Sequence, residues 1–247
     1  MRARQSRDLP DRRNLCIGLS TLLSVGWSVL WPHRLLAQAA GQPENAARVG
    51  DASAQSPDDA ANPVRVGDQW TYDTKDEITG MVTRTYTATV SEITPKEIVT
   101  HLTFRGNNNI GLVSFDHEWN RFKNGNLEYK PRDGQGVSFP LSVGKEWKFE
   151  YFTTNVTSGL TTKTLNQSRV AAQEAVTTPA GTFDTFRIER QVKEYNTKDP
   201  SRWTEAQVTL WYAPQINHWA RRTIVTKVEN RLRSKETDEL VAVVRAQ

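Results

Sequence analysis

The polar cluster best suited to chemistry is Asp116-His117-Glu118. If it lies on a strand, the two carboxylates share one face about 7 Å apart, and His117 points to the opposite face. Such a carboxylate pair could hold a cation or act as acid and base, but no further ligand group follows at a useful spacing. The sequence therefore predicts a solvated strand edge here rather than a catalytic or metal site.

The rest of the sequence lacks the motifs of common catalytic and metal sites. Neither His101 nor His218 belongs to a metal-binding pattern such as H-x-H or H-E-x-x-H. No G-x-S-x-G elbow and no Gly-rich phosphate loop is present. We therefore predict a non-catalytic protein that uses no metal or other cofactor. A hydrolytic enzyme with a site assembled from scattered strands is the alternative that a motif search leaves open.

Residues 1–39 have the three parts of an export signal. A basic leader with five arginines precedes the uncharged, apolar run from Leu15 to Leu30, and Ala37-Gln38-Ala39 supplies small residues for cleavage. The apolar run has 16 residues, fewer than the roughly 20 that a membrane span needs. We predict that the signal is cleaved, that no transmembrane anchor remains, and that the protein is periplasmic or secreted.

Two export routes fit this leader. Arg12-Arg13-Asn14-Leu15 matches a twin-arginine signal, and Arg34, just after the apolar run, suits that route. An ordinary secretory signal with chance arginines fits equally well, so both routes stay open.

Removal of the signal changes the charge balance. The chain has 32 basic and 28 acidic residues, of which the leader holds six and two, so the mature chain has 26 of each. The basic isoelectric point therefore belongs mostly to the leader and does not indicate nucleic-acid binding.

Cys16, the single cysteine, also lies in the leader. A disulfide or a thiolate nucleophile is thus excluded in the mature chain.

The mature chain divides into a linker and one folded region. Residues 40–62 contain no aromatic residue, Leu or Ile and are rich in Ala, Ser, Asp, Gln and Pro. Such a composition cannot bury enough apolar surface to offset its ordering entropy, so we expect a disordered linker. Residues 63–247 are then a single β-domain, since their length suffices for one core.

The folded region shows the period-2 pattern of strands. From Val82 to Val90 a threonine occupies every second position, and Phe186, Ile188 and Val192 alternate with polar residues. Closely spaced turn signals leave no room for crossover helices, so the strands should be antiparallel. Asn124-Gly125 is the strongest of these signals, because a tight hairpin turn favours positive φ at both central residues. We predict an all-β fold, an antiparallel curved sheet or partial barrel of about eleven or twelve strands.

An internal repeat indicates two related hairpin units. The segment 66–72 (VGDQWTY) matches 143–149 (VGKEWKF) at an offset of 77 residues, and each copy places alternate aromatic residues on one strand face. The repeat units would span about 66–140 and 143–247 of one sheet.

Two further motifs carry a family resemblance. Thr178 to Ile188 reads TPAGTFDTFRI, and Trp211-Tyr212-Ala213-Pro214 follows it. Together with Gly144 and Trp147, these segments resemble the P-A-G-T-F and W-Y-A-P signature of a family of uncharacterised exported bacterial β-proteins. That family is similar in shape to the half-barrels that carry lipoproteins between bacterial membranes. The resemblance implies a fold and a compartment but no catalytic residues, and it departs at residues 214–217, where relatives more usually have a Gly-containing turn.

The aromatic alternation suggests a binding surface. On the concave face of a curved sheet, the side chains could line an apolar groove, and arginines that interrupt apolar faces could contact an acidic head group. The predicted ligand-binding residues are Trp70, Tyr72, Arg84, Trp147, Phe149 and Arg190. The sequence thus favours an exported, non-catalytic protein that binds an apolar small molecule, a lipid or an envelope protein. A structural or assembly factor that uses its sheet edges is the alternative.

Overall fold

The structure is a computed structural model that describes residues 63–228 and 230–247. The predicted export signal and linker lie outside the described residues. Within the described ranges, no helix is both long and apolar enough to cross a membrane.

Twelve β-strands make up almost all of the regular structure in the described residues. Their bounds are β1 Gln69–Asp76, β2 Val82–Ile93, β3 Ile98–Phe104, β4 Asn107–Phe115, β5 Arg121–Asn124, β6 Leu127–Lys130, β7 Glu146–Asn155, β8 Thr161–Thr178, β9 Gly181–Asn196, β10 Trp203–Ala213, β11 His218–Val228 and β12 Arg231–Val244. A short 3-10 turn, Pro214–Ile216, is the only helical segment among them.

The strands form a closed up-and-down barrel. Each strand pairs antiparallel with its neighbours in sequence, and β1 pairs with β12 from Gln69↔Val244 to Asp76↔Glu236. The predicted all-β antiparallel architecture and the strand number are confirmed. The sheet closes on itself, however, instead of remaining the partial barrel or half-barrel that the sequence and the resemblance suggested.

The up-and-down order gives the barrel two distinct ends. We call one the hairpin end; it carries the connections at residues 77–81, 105–106, 125–126, 156–160 and 197–202, together with Asn230 before β12. The opposite end, the core end, carries residues 63–68, 94–97, 116–120, 131–145, 179–180 and 214–217.

The sequence repeat has a structural counterpart. Gly67 and Gly144, with φ of 94° and 90°, precede β1 and β7, and their N–H groups donate to Val90 O and Val170 O, each at 2.8 Å. The two copies therefore begin strands that lie six positions apart, on opposite sides of the twelve-stranded barrel.

The predicted turn residues act as expected, with one difference in register. Strand β8 ends at Thr178 and β9 begins at Gly181, and β10 ends just before Pro214. In the β5–β6 hairpin, Asn124 pairs with Leu127, so the turn centres are Gly125 and Asn126. Only Gly125 has positive φ, at 55°, as a type II′ turn requires.

Asn217 ends the 3-10 turn that follows β10. Its backbone is left-handed, with φ 48° and ψ 40°, a conformation that asparagine tolerates better than most residues. Its Oδ1 accepts hydrogen bonds from Tyr212 Oη at 2.6 Å and Trp119 Nε1 at 3.2 Å. The side chain thereby ties the departing turn to the core end of the barrel.

The predicted strand edge at Asp116-His117-Glu118 is wrong. The three residues form a turn after β4, and Asp116 Oδ1 accepts from the backbone N–H groups of Glu118 and Asn120, each at 2.9 Å. Arg132 Nη1 lies 2.7 Å from Asp116 Oδ2. This carboxylate orders its own turn. No group of three or more His, Cys, Asp or Glu in the described part of the chain is placed to hold a metal ion.

Candidate ligand site in the barrel lumen

An aromatic cluster fills the core end of the lumen. Trp70 stacks on His218 with ring centroids 4.4 Å apart, and its Nε1 donates to Ile216 O at 3.1 Å. Tyr72 Oη lies 2.5 Å from His218 Nδ1. Trp119 meets both Trp70 and His218 edge-on. Burial lowers the pKa of His218 well below its usual range, and Arg222 lowers it further, so this histidine is neutral at pH 7.

A segment between β6 and β7 enters the barrel and closes this end. We call residues 133–137 the plug. Asn166 Nδ2, on the inner face of β8, donates to Gly134 O at 2.7 Å, and Gln135 Nε2 donates to Tyr151 Oη at 2.8 Å. A Cβ on Gly136 would lie 1.9 Å from Glu118 O, so only glycine fits where the plug passes the β4–β5 turn.

Arg190 holds the plug against the barrel wall. The side chain comes from the inner face of β9, and the residue is 4% exposed. Its Nη2 donates to Gly136 O at 2.7 Å, its Nη1 donates to Gln135 O, and its Nε donates to Ser168 Oγ at 2.9 Å. Burial lowers the pKa of Arg190 to about 10, so the guanidinium remains charged at pH 7 and its donors are engaged by protein groups.

Two buried aspartates extend the polar region along the lumen. Asp133, in the plug, is fully buried and pairs with Arg121, with Nε 2.5 Å from Oδ2. Arg121 in turn lies over the ring of Tyr129, 5.0 Å from its centroid. Asp238, on β12, pairs with Arg222 at 2.5 Å and accepts from Thr74 Oγ1 at 2.6 Å.

In both ion pairs the arginine side chain is more exposed than the aspartate side chain. Burial acts to raise the pKa of Asp238, but the Arg222 guanidinium and the hydrogen bond from Thr74 hold it below its usual range. The Arg121 and Arg222 side chains keep about a quarter of their surface exposed, whereas those of Asp133 and Asp238 are almost wholly buried. The arginine side chains are therefore the more exposed members of each pair.

A row of largely buried polar side chains crosses β7, β8 and β9. Tyr151 pairs with Thr164, and Thr164 pairs with Glu194, across three neighbouring strands. The hydroxyl groups of Thr162 and Thr164 are buried without a hydrogen bond. Burial raises the pKa of Glu194, and Thr162 lies close enough to its carboxyl to counter part of that rise. We call Tyr151, Thr162, Thr164 and Glu194 the polar row.

The six residues predicted to bind ligand are spread over the whole lumen. Trp70 and Tyr72 are 0% exposed in the aromatic cluster, and Trp147 and Phe149 are partly buried on β7, with Phe149 packed against Gly134. Arg190 holds the plug. The structure does not join these side chains into one open groove, and ligand binding by them stays a prediction.

Arg84 is the member of that set nearest to solvent. Its Nε donates to Thr74 Oγ1 at 3.0 Å, and its side chain is half exposed and lies 3.9 Å from Glu236.

Sequence reasoning missed the two ion pairs and the polar row. Apart from Asp133 in the plug, each of these residues is, in the sequence, only a charged or hydroxyl residue within a strand. Such residues also occupy outward-facing positions, so the sequence does not mark them as lining the lumen.

Comparisons with known proteins show similarity in fold. No family model matches the chain, and no curated protein matches its sequence. A candidate lipoprotein from Parabacteroides distasonis is similar in structure, with a TM-score of 0.51, 12% identity, and coverage of 74% of this chain and 97% of its own. At this identity the similarity shows a shared fold alone.

Two further solved structures have lower scores. One is a candidate exported protein with a YmcC-like fold from Bacteroides fragilis, with a TM-score of 0.47, 15% identity, and coverage of 75% of this chain and 99% of its own. The other is the hypothetical lipoprotein YmcC from Escherichia coli, with a TM-score of 0.43, 10% identity, and coverage of 72% and 85%. All three neighbours are thus described as lipoproteins or exported proteins.

Proposed function

We propose that this chain is an exported, non-catalytic barrel that binds an amphiphilic, lipid-like ligand in the lumen, on the hairpin-end side of the plug. The observation that carries this proposal is the polar half of the lumen. There the Arg222–Asp238 pair and the polar row lie inside a barrel whose other end is filled with aromatic residues, and the plug itself carries the Arg121–Asp133 pair. The mouths of β-barrels are common places for ligand sites.

Stability alone does not account for this polarity. A buried ion pair is typically no more stabilising than well-packed apolar residues of similar volume. A buried hydroxyl without a well-aligned hydrogen bond costs free energy. The hydroxyl groups of Thr162 and Thr164 make none, although they lie beside Glu194 and Tyr151; burial raises the pKa of each of these two groups, and the threonines act to lower it. A ligand that carries hydrogen-bond donors and acceptors would satisfy them and would offset that cost.

The lining of the hairpin-end half fits an amphiphile because apolar and polar side chains alternate around it. Val192 and Val208 are buried on the inner faces of β9 and β10. Tyr86 and Phe104 face each other across β2 and β3, with ring centroids 6.2 Å apart. A hydrocarbon tail would pack on these residues, while Arg222 and the polar row would contact a head group.

Export is part of the proposal and rests on the sequence. The leader has the basic, apolar and small-residue parts of a signal, and the P-A-G-T-F and W-Y-A-P motifs resemble exported β-proteins. We expect the mature N-terminus of the envelope protein to lie within a few residues of Ala40. Detection of an intact Met1 in that fraction by mass spectrometry would contradict export with cleavage.

Displacement of a fluorescent fatty acid from the purified protein tests ligand binding. Val192→Trp places a large side chain in the lumen, and we expect it to weaken probe binding by at least about tenfold. Gln191→Trp, on the outer face of the same strand, is the matched control and should bind like the wild type. Thr164→Val removes one unpartnered hydroxyl and should retain tail binding. A wild-type protein that binds no apolar probe would overturn the proposal.

The alternative of an assembly factor that uses sheet edges has a narrower structural basis. Every strand of the described barrel has two neighbours, so no strand is a free edge along its whole length. Short stretches lack a partner on one side, such as residues 146–151 of β7, which pair with β8 and not with β6. An envelope protein could still contact the barrel through its end connections.

A further inference from the structure

The β11–β12 tip is basic and apolar at once. Arg231, Arg233 and Lys235 are exposed, and Leu232 between them is 53% exposed. By sequence, position 229 is the one acidic residue between Lys227 and Lys235.

The neighbouring β1–β2 tip adds more exposed apolar surface. Glu77 N donates to Lys235 O at 2.8 Å, which places the two tips side by side. Ile78, Met81 and Val82 are each more than half exposed. The acidic groups of this tip are engaged locally, since Asp76 Oδ1 accepts from Ile78 N at 2.8 Å and Glu77 lies 3.8 Å from Lys75.

Together these side chains form one patch at the hairpin end. We call Ile78, Met81, Val82, Arg231, Leu232 and Arg233 the tip patch. Contiguous exposed apolar surface on a soluble domain marks a site of interaction. A patch that combines apolar side chains with arginines matches a membrane surface, where the apolar groups enter the boundary of the acyl chains and the cations contact phosphates.

We infer that the tip patch docks the barrel onto a membrane surface that carries anionic lipid head groups. Charge complementarity selects the β11–β12 tip. Its described residues 230–235 include Arg231, Arg233 and Lys235 and no acidic residue. Other connections carry mixed charges at both ends of the barrel, as in the Arg202–Asp199 pair at the hairpin end and the Arg132–Asp116 pair at the core end. An anionic surface would therefore attract this tip in preference to the other connections.

Docking in this orientation would place the hairpin-end side of the lumen against the lipid. The inference concerns the outer surface and goes beyond the proposed function, because docking needs no ligand inside the barrel. The lumen variant Val192→Trp should accordingly retain membrane binding, which separates the two proposals in one experiment.

Vesicle co-sedimentation of the purified protein tests the inference. The probes are vesicles of phosphatidylcholine alone and vesicles that also contain phosphatidylglycerol. We expect binding to be about tenfold stronger to the anionic vesicles and to weaken as salt is raised. Arg231→Glu combined with Arg233→Glu should abolish this preference, and Met81→Ser combined with Leu232→Ser should weaken binding about tenfold.

Two control variants at the core end match these changes. Lys96→Glu reverses an exposed charge, and Val143→Ser removes an exposed apolar side chain; both should bind vesicles like the wild type. Equal binding to both vesicle types, or a loss of binding in the control variants, would overturn the inference. Self-association that the tip variants abolish, without vesicle binding by the wild type, would assign the patch to a second copy of the chain and would also overturn it.

Discussion

Arg190 Nη2 lies 2.7 Å from Gly136 O, so a strand in the barrel wall is joined to the plug, 54 residues away in sequence. The same guanidinium also donates to Gln135 O and Ser168 Oγ. A residue that the sequence marks as a ligand contact therefore holds the plug. The plug in turn contacts the β4–β5 turn, where Val137 N donates to Glu118 O at 2.7 Å.

Removal of this link should destabilise the fold. We expect Arg190→Ala to lower the free energy of unfolding by about 3 kcal/mol, because two plug carbonyl groups and Ser168 lose a charged donor inside the barrel. Arg187→Ala is the control on the same strand, since Arg187 makes surface ion pairs with Glu174 and Glu189 and should cost less than about 1 kcal/mol. Urea unfolding measures both. Equal losses in the two variants would show that Arg190 does not hold the plug.

The tryptophans of the repeat should differ in their contribution to stability. Trp70 is 0% exposed and hydrogen-bonded to Ile216, so Trp70→Ala should cost about 3–5 kcal/mol. Trp147 is only partly buried, and Trp147→Ala should cost about half as much. Trp70→Phe keeps most of the volume and should cost about 1–2 kcal/mol through the lost hydrogen bond. Thermal or urea unfolding gives these values, and a larger loss for Trp147→Ala would contradict the packing described.

The buried histidine should make stability depend on pH. Because the pKa of His218 is lowered by burial and then by Arg222, the unfolded chain binds more protons than the folded chain below pH about 6.5. The stabilising contribution is complete above that pH and is lost as the pH falls toward the folded pKa. Stability should therefore fall between pH 7.5 and pH 5.5, by at most about 1.4 kcal/mol, which is the limit for one histidine with an unfolded pKa near 6.5.

The variant His218→Asn isolates this effect. Asparagine retains a polar group near the position of Nδ1, which faces Tyr72, but it does not titrate. Glu194, whose pKa burial raises, acts in the opposite direction in both proteins, so the difference between their pH profiles reports the histidine. His117→Asn, at an exposed turn, is the control. If the free energy of unfolding of the wild type and of H218N depended on pH in the same way, His218 would not be a neutral, buried histidine.

Much of the wall of the barrel could be predicted from the sequence. Alternation along β2 and β9, the turn residues Gly125 and Gly181, and the repeated glycines before β1 and β7 are local signals, because each depends on the conformation of a few adjacent residues. Strand number and antiparallel order follow from them. Closure does not, because the β1–β12 register joins residues as distant as Gln69 and Val244.

The interior could not be predicted in the same way. Asp133-Gly134 has the composition of a hairpin turn, but the segment instead enters the lumen, where Asn166, Tyr151 and Arg190 bind it. These partners lie on three strands that follow in the chain. Asp116 illustrates the same limit, since its side chain orders a turn that period-2 reasoning placed on a strand.

The central claim is that the lumen holds a lipid-like ligand, and native mass spectrometry of the protein purified from the envelope of its own host tests it most directly. We expect the wild type and Gln191→Trp to carry the added mass of an amphiphile, and Val192→Trp, produced in the same host, to carry much less. The account would be contradicted by a wild-type protein that is detected only at the mass of its polypeptide, and whose mass does not increase when fatty acid or lysophospholipid is added.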